Sequence, residues 1–410
     1  MPTPSFTPHS RRTLLTAAIG AALTSTVAHA APMLGTQGRR ALSPNAWIEV
    51  DLSVFEQNLR HVQGALTGNA QLCAIMKADA YGVGIEVLMP SIIKARVPCV
   101  GIASTEEARV VRASGFKGRL MRVRSATPAE VEAALPYAVE ELVGNLELAQ
   151  SIGEIARKHR RRVRVHLGLN SAGMSRNGLE LGTDKGREDA QTLVKTQGLH
   201  IVGVMTHFAV EERPDVLNGL EAFKRETAWL FANTRLQRSD VILHVANSFA
   251  TLNVPEAHLD MVRTGAALYG YVGPRPAFQH VVSFKSRVAS VNAYPAGNTV
   301  GYDRTFTLNR NSLLANLPVG YSDGYRRAYT NKGSVLVRGQ RALVVGKVSM
   351  NTTMVDVTDI PGVKPGDEIV LFGKQGDGEI TQTEIEQLTG VLLADQYAVW
   401  GNSNPKVVRR

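Results

Sequence analysis

The chain has 410 residues, 44% of them apolar and 20% charged, with 37 Gly, 18 Pro and a formal net charge of +10. This is a globular composition, which excludes a disordered or collagen-like chain, and two cysteines exclude a disulfide-rich scaffold or a four-cysteine zinc site. Past the first thirty residues there is no run of about 18 apolar residues, which excludes a polytopic membrane protein.

The first predicted element is an export signal over residues 1–30. Ser10-Arg11-Arg12 precedes an apolar run from Leu14 to Leu23, and Ala28-His29-Ala30 supplies a small-residue cleavage site before Ala31. The paired arginines resemble a twin-arginine signal; an ordinary secretory signal with two arginines is the alternative. The expected location is the periplasm, with no membrane attachment once the signal is removed. The densest basic patch, Lys158-His159-Arg160-Arg161-Arg162, reads as a helix end and a solvated turn. Without zinc-finger spacing or an aromatic–basic motif, no nucleic-acid partner is expected.

Trp47–Asp51 reads as a strand ahead of the helix Leu52–Leu66. From residue 70 a short apolar run, a turn and a helical stretch alternate. The runs are Gln71–Met76, Pro98–Ala103, Arg119–Val123, Glu141–Gly144, Arg162–Leu169, Ile201–Thr206, Val241–Val245 and Met261–Leu268. Eight such units in about 200 residues predict an α/β fold, a (β/α)8 TIM-like barrel over 45–275. The strand at 45–51 is assigned either to that domain or to the sheet that follows. Cys73 and Cys99 fall in neighbouring strands, and in an oxidising compartment a disulfide is favoured over two buried thiols.

After Pro274-Arg275-Pro276 the rhythm changes to short strands: Val281–Ala293, Ser312–Leu317, Ser334–Val337, Arg341–Val348, Met354–Val357 and Glu368–Phe372. Turn signals such as Pro365-Gly366-Asp367 separate them, and a helix follows over Thr381–Leu388. A C-terminal all-β domain is predicted over 276–410.

Barrel chemistry sits at the C-terminal ends of the strands. Those ends carry Lys77 and Tyr81, Arg122 and Arg124, Asn170 with Arg176 close behind, His207, Ser248, and Arg263 with Gly265. The rim is cationic and hydroxyl-rich, suited to an anionic ligand, and lacks metal-ligand spacing. Lys77 follows the apolar run Leu72–Met76, so desolvation is expected to lower its pKa, as a Schiff-base amine requires. The commoner fate of such a lysine is to snorkel into solvent.

Seven segments, in order, resemble the alanine racemase family of pyridoxal-phosphate enzymes. They are Ala74–Gly84, Thr206–Ala209, Ala246–Ser248, Met261–Gly270, Val300–Phe306, Val319–Arg327 and Gly346–Met350. The resemblance implies a head-to-tail homodimer with shared active sites, pyridoxal 5'-phosphate as cofactor and an amino acid as substrate. It implies that Lys77 binds the cofactor covalently. Tyr81, Ser248, the Gly265-Ala266 backbone and Tyr397 then hold the phosphate, and Arg263 faces the pyridine nitrogen with His207 behind. It also implies that Tyr302 comes from the other subunit as the second base, with Arg176 and the Met350 backbone placing the substrate carboxylate. Lys77 and Tyr302 would exchange the Cα proton on opposite faces.

Two departures from the family stand out. The segment His166–Arg176 lacks the lysine whose modified form usually lies near the equivalent of Arg176. A chloride-like anion or a hydrogen bond from Asn170 is the expected substitute. Asn351 follows Met350 where many relatives have Asp. With the export signal and Met121-Arg122-Val123-Arg124-Ser125, these traits resemble the periplasmic broad-specificity amino acid racemases, which implies turnover of Lys and Arg as well as Ala. In this reading Arg122, Arg124, Asn170 and Asn351 are candidates for the anion site or specificity. A dedicated alanine racemase is the alternative; a decarboxylase on the same architecture would use a cysteine near the second-domain site, whereas both cysteines here lie in early barrel strands, and a single-barrel binding protein would not carry Tyr302.

Overall fold

Ala46–Asp51 (β1) is a strand of the C-terminal sheet. It pairs antiparallel with Val282–Arg287, Trp47 opposite Lys285, and parallel with the last strand, Lys406–Arg409. The computed structural model describes residues 44–273 and 275–410, so the predicted signal at 1–30 lies outside the described residues.

The next eight strands form one parallel sheet. They are β2 (Gln71–Ile75), β3 (Cys99–Ile102), β4 (Arg119–Ser125), β5 (Val139–Val143), β6 (Val163–Gly168), β7 (Leu199–Met205), β8 (Ile242–His244) and β9 (Met261–Thr264). Their order is β8-β7-β6-β5-β4-β3-β2-β9. Two backbone bonds close the ring between β8 and β9: Asp260 N to Leu243 O (3.1 Å) and Arg263 N to Ala246 O (2.9 Å). Helices lie between the strands because the sequence caps them. Ser104 and Thr127 each form a capping box, with Glu107 and Glu130, at the starts of Thr105–Ala113 and Pro128–Ala134. Asn145 caps Leu146–Lys158, whose buried Leu148, Ala149, Ile152, Ile155 and Ala156 repeat at helical spacing.

The second sheet runs Ser290–Tyr294, Ser312–Leu317, Thr353–Asp356, Gln340–Val344, Ser334–Val337, Glu368–Gln375, Val282–Arg287, β1 and Lys406–Arg409. The single strand expected over Val281–Ala293 is two strands with different neighbours. Val288 N bonds Asp367 O and Ala289 N bonds Asn316 O, so the chain changes partners at that point. The run expected to continue to Leu268 stops at Thr264, and a helical turn, Ala266–Tyr269, follows Gly265. The helix Leu393–Ser403 and the strand after it were not anticipated.

The structure departs from the expected disulfide. β2 and β3 place Cys73 opposite Cys99 in register, but both are free thiols, with Sγ atoms 3.2 Å apart. That is a contact distance, longer than the ~2.05 Å of a covalent bond.

Candidate active site

Lys77 sits where β2 leaves the barrel, just after buried Met76. The four residues that follow, Ala78, Asp79, Ala80 and Tyr81, have φ of +55°, +51°, +55° and +57°. A left-handed turn of non-glycine residues costs about 1–2 kcal/mol per residue, so the surroundings must hold it. Ala80 N bonds Met76 O and Gly82 N bonds Ala78 O, both at 2.8 Å, and Asp79 Oδ1 accepts from Ile85 N at 2.8 Å. The helix Leu393–Ser403 packs directly on the turn. A Cβ on Gly82 would stand 2.3 Å from Tyr397 O. Burial lowers the Lys77 pKa and the charge of Arg176 lowers it further, against an opposing pull from Glu107. The amine therefore loses its proton more readily than an ordinary lysine.

A cavity of about 200 Å³ lies over Lys77. Of the residues singled out by sequence, Lys77, Tyr81, Asn170, Arg176, His207, Ser248, Arg263, Gly265 and Ala266 line it. Ser248 begins the helical turn Ser248–Asn253, which Asn247 caps, and its Oγ accepts from Gly265 N (3.1 Å) and Ala267 N (3.2 Å). The Tyr81 hydroxyl occupies the space a side chain at 265 would need, 2.5 Å from an added Cβ. Burial pushes the Tyr81 phenol up to about 12, with Tyr271 opposing. Tyr397 is buried behind Tyr271, ring centroids 6.0 Å apart, and its hydroxyl has no partner among the described residues.

Arg263 is buried and has both terminal nitrogens engaged. One bonds His244 Nδ1 and His244 O at 2.8 Å; the other reaches Thr206 O (2.8 Å), His207 Nδ1 (3.1 Å) and Val245 O (3.2 Å). Burial lowers its pKa to about 10, so it stays charged at neutral pH. Burial, then Arg263, Arg176 and Lys77, push His207 down to about 3, which keeps its imidazole neutral.

Other expected site residues lie elsewhere or are engaged differently. Arg122 is fully buried against Glu141 (Nε–Oε2 2.7 Å) and also reaches Ala103 O and Thr105 Oγ1. Arg124 pairs with Glu130. Neither lines the cavity, whereas Val123 between them does. Strand alternation explains this correction: with Val123 facing the cavity, its neighbours face away. Asn170 makes no bond to Arg176. Its amide is engaged by Ser175 Oγ (3.2 Å), Ser175 N (2.6 Å) and Glu180 (2.7 Å), and pins the turn before Arg176. Asn351 donates to Ser322 Oγ (2.7 Å), and the Met350 carbonyl accepts from Ser322 N (3.1 Å) and Oγ (2.8 Å). Tyr302, 67% exposed, and Met350, 55% exposed, stand on the surface of the second sheet domain, outside the cavity of their own chain. The cavity also contains residues the sequence reading missed, among them Tyr271, Asn177 and Met174. Their only signal was closeness in sequence to Gly270 and Arg176.

Two family models match the chain. One is described as alanine racemase, N-terminal domain, over residues 50–273, and the other as alanine racemase, C-terminal domain, over residues 281–408. A broad specificity amino-acid racemase of Pseudomonas taetrolens is 59% identical over 403 residues, 97% of this chain and 98% of that protein. A lysine racemase of Proteus mirabilis is 46% identical over 372 residues, 91% of each. The crystal structure of alanine racemase from D-cycloserine producing Streptomyces lavendulae superposes with a TM-score of 0.82 at 28% identity, covering 90% of this chain and 97% of that one.

Proposed function

The chain belongs to the alanine racemase family, and on that premise we propose that this amino acid racemase uses pyridoxal 5'-phosphate and accepts a broad set of amino acids that includes Lys, Arg and Ala. The observation that carries the reading is Lys77, an amine of lowered pKa on a strained turn, facing a cavity whose other polar groups suit one anionic cofactor. Breadth of substrate is supported by the broad-specificity and lysine racemases among its relatives.

The residues present fit that cofactor. The Tyr81 hydroxyl beside the bare Cα of Gly265, together with Ser248, forms a cradle for a phosphate, whereas Tyr397, expected there too, lies behind Tyr271 and does not line the cavity. Lys77 is the amine that would hold the cofactor aldehyde. When bound, the cofactor's conjugated ring acidifies the substrate Cα–H. The protein's own groups do the rest. Arg263 keeps its proton, so it can hold the ring nitrogen by a hydrogen bond without protonating it. His207, held neutral, accepts from Arg263 (Nη2–Nδ1 3.1 Å) and would support it from behind. Arg176 binds the substrate carboxylate. Lys77 takes or returns the Cα proton on one face.

The second base is Tyr302 of a second copy. Tyr302 and Met350 are exposed in their own chain and absent from its cavity, so a homodimer with shared sites completes the arrangement. Export through residues 1–30 to the periplasm belongs to the same reading. There the facing thiols of Cys73 and Cys99 would oxidise to a disulfide.

A chiral assay of the purified protein with pyridoxal phosphate and L-Lys, L-Arg or L-Ala tests the proposal. Turnover of all three supports it. Turnover of Ala alone would make it a dedicated alanine racemase, and no turnover of any would overturn it.

A further inference from the structure

Behind Arg263 a column of buried polar groups crosses the barrel interior. Arg263 donates to His244 Nδ1 (2.8 Å), His244 Nε2 meets His166 Nδ1 (2.8 Å), and His166 Nε2 meets Glu140 Oε2 (2.9 Å). His166, His244 and Glu140 are at most 2% exposed. At the far end Arg119 (Nη2–Oε2 2.9 Å) and half-exposed Arg164 (Nη2–Oε1 2.9 Å) hold the Glu140 carboxylate. The strand between the two histidines, β7, carries Gly203 at the crossing. A Cβ there would lie 2.1 Å from His166 Nδ1. The missing side chain leaves room for the ring.

Both ends of the column impose one direction. A guanidinium only donates, so His244 Nδ1 must accept and its proton sits on Nε2. A carboxylate only accepts, so His166 carries its proton on Nε2 and accepts at Nδ1. The two requirements meet in the middle without conflict: His244 Nε2–H donates to His166 Nδ1. Were Glu140 a donor, the direction could reverse. His244 would then present an N–H to the Arg263 N–H groups, and the guanidinium would have to turn.

We infer that Glu140 is a positioning residue for the racemase reaction, fixing the tautomers of His166 and His244 and through them the orientation of Arg263 at the cavity. This inference rests on the proposed placement of Arg263 toward the cofactor ring. Arg263 Nε–H has no protein partner among the described residues, while all four terminal N–H groups are engaged. The column thus selects which donor is left for the cavity.

The test has two arms. In the first, nitrogen-15 NMR of the unmodified holoenzyme labelled at histidine should show His166 and His244 neutral and protonated at Nε2. A proton on Nδ1 of His244 would overturn the inference, and this arm needs no variant to fold. In the second, Glu140→Gln, checked for native circular dichroism, should lower kcat roughly tenfold or more with little change in KM, and should shift the absorbance band of the bound cofactor. A variant with native kcat and an unshifted band would overturn it. If the unmodified protein takes up no pyridoxal phosphate, the cofactor reading fails, while the tautomer measurement still judges the column.

Discussion

Gly82 and Gly401 meet backbone to backbone: a Cβ built on Gly401 would lie 1.9 Å from Gly82 O. Through this contact the helix Leu393–Ser403 of the second domain bears on the left-handed turn that presents Lys77. Gly401→Ala should force the helix off the turn. The expected cost is about 1–3 kcal/mol of stability, as for other overpacked sites, with weaker retention of pyridoxal phosphate. Thermal unfolding and cofactor titration measure the two effects, and a variant unchanged in both would show that the contact is slack.

Lys77→Ala should abolish covalent cofactor attachment, read by mass spectrometry after borohydride reduction. Tyr302→Phe should keep attachment but lose about 10²–10⁴-fold in racemisation, the usual worth of a proton-transfer group. Mixing the two inactive proteins under subunit exchange should restore activity, because one of the two shared sites in a mixed dimer is intact. Failure of the mixture to recover would argue against sites built from two chains.

Arg122→Ala should lower stability by about 3–5 kcal/mol, the usual result of leaving a buried carboxylate such as Glu141 without its partner. The relative rates on Lys, Arg and Ala should stay unchanged in any fraction that folds. Urea unfolding and the substrate panel separate these effects. A changed ranking at native stability would return Arg122 to the list of specificity residues.

Burial pushes the Glu140 carboxyl up, but His166 and Arg119 outweigh it and hold the folded-state pKa at about 2, below the ordinary 4.5. The unfolded chain binds this proton more readily. The contribution, about 3 kcal/mol, is therefore full above the ordinary carboxylate range and is lost as pH falls toward 2. Urea unfolding from about pH 6 to about pH 3 should show this acid loss, and Glu140→Gln should flatten it. Equal slopes in the two proteins would contradict the assignment.

Air or diamide oxidation should join Cys73 to Cys99, seen as a linked peptide pair in a non-reducing digest. Their side chains already touch in neighbouring strands, so little rearrangement is needed. Two unlinked peptides after full oxidation would show that the barrel holds them apart.

Much of this architecture was legible because barrel strands are apolar runs and their ends carry the polar groups, as Ile75 to Lys77 and Val245 to Ser248 show. The reading failed where facing mattered more than position. Arg122 and Arg124 lie at a strand end, but Val123 takes the cavity side, a one-residue phase that composition does not reveal. Asn170 lies in the cavity wall, yet Ser175 and Glu180 engage its amide, and both contacts depend on how the loop folds back. His166 and His244 read as ordinary strand residues and Glu140 fell just outside the expected run Glu141–Gly144, because only the closed barrel brings the three into one line. The split at Val288 was hidden because apolar and polar residues mix through both halves and no Gly or Pro marks the join. Only the sheet shows that they serve different neighbours.

The pairing of Ala46–Asp51 with Lys406–Arg409 sets an order on biosynthesis. The first described strand must wait for Lys406–Arg409 to be made before its outer edge is covered. A nascent chain can round up its barrel early, but it remains unlatched until that distant strand is in place. A truncated product would leave that edge bare for another chain to join.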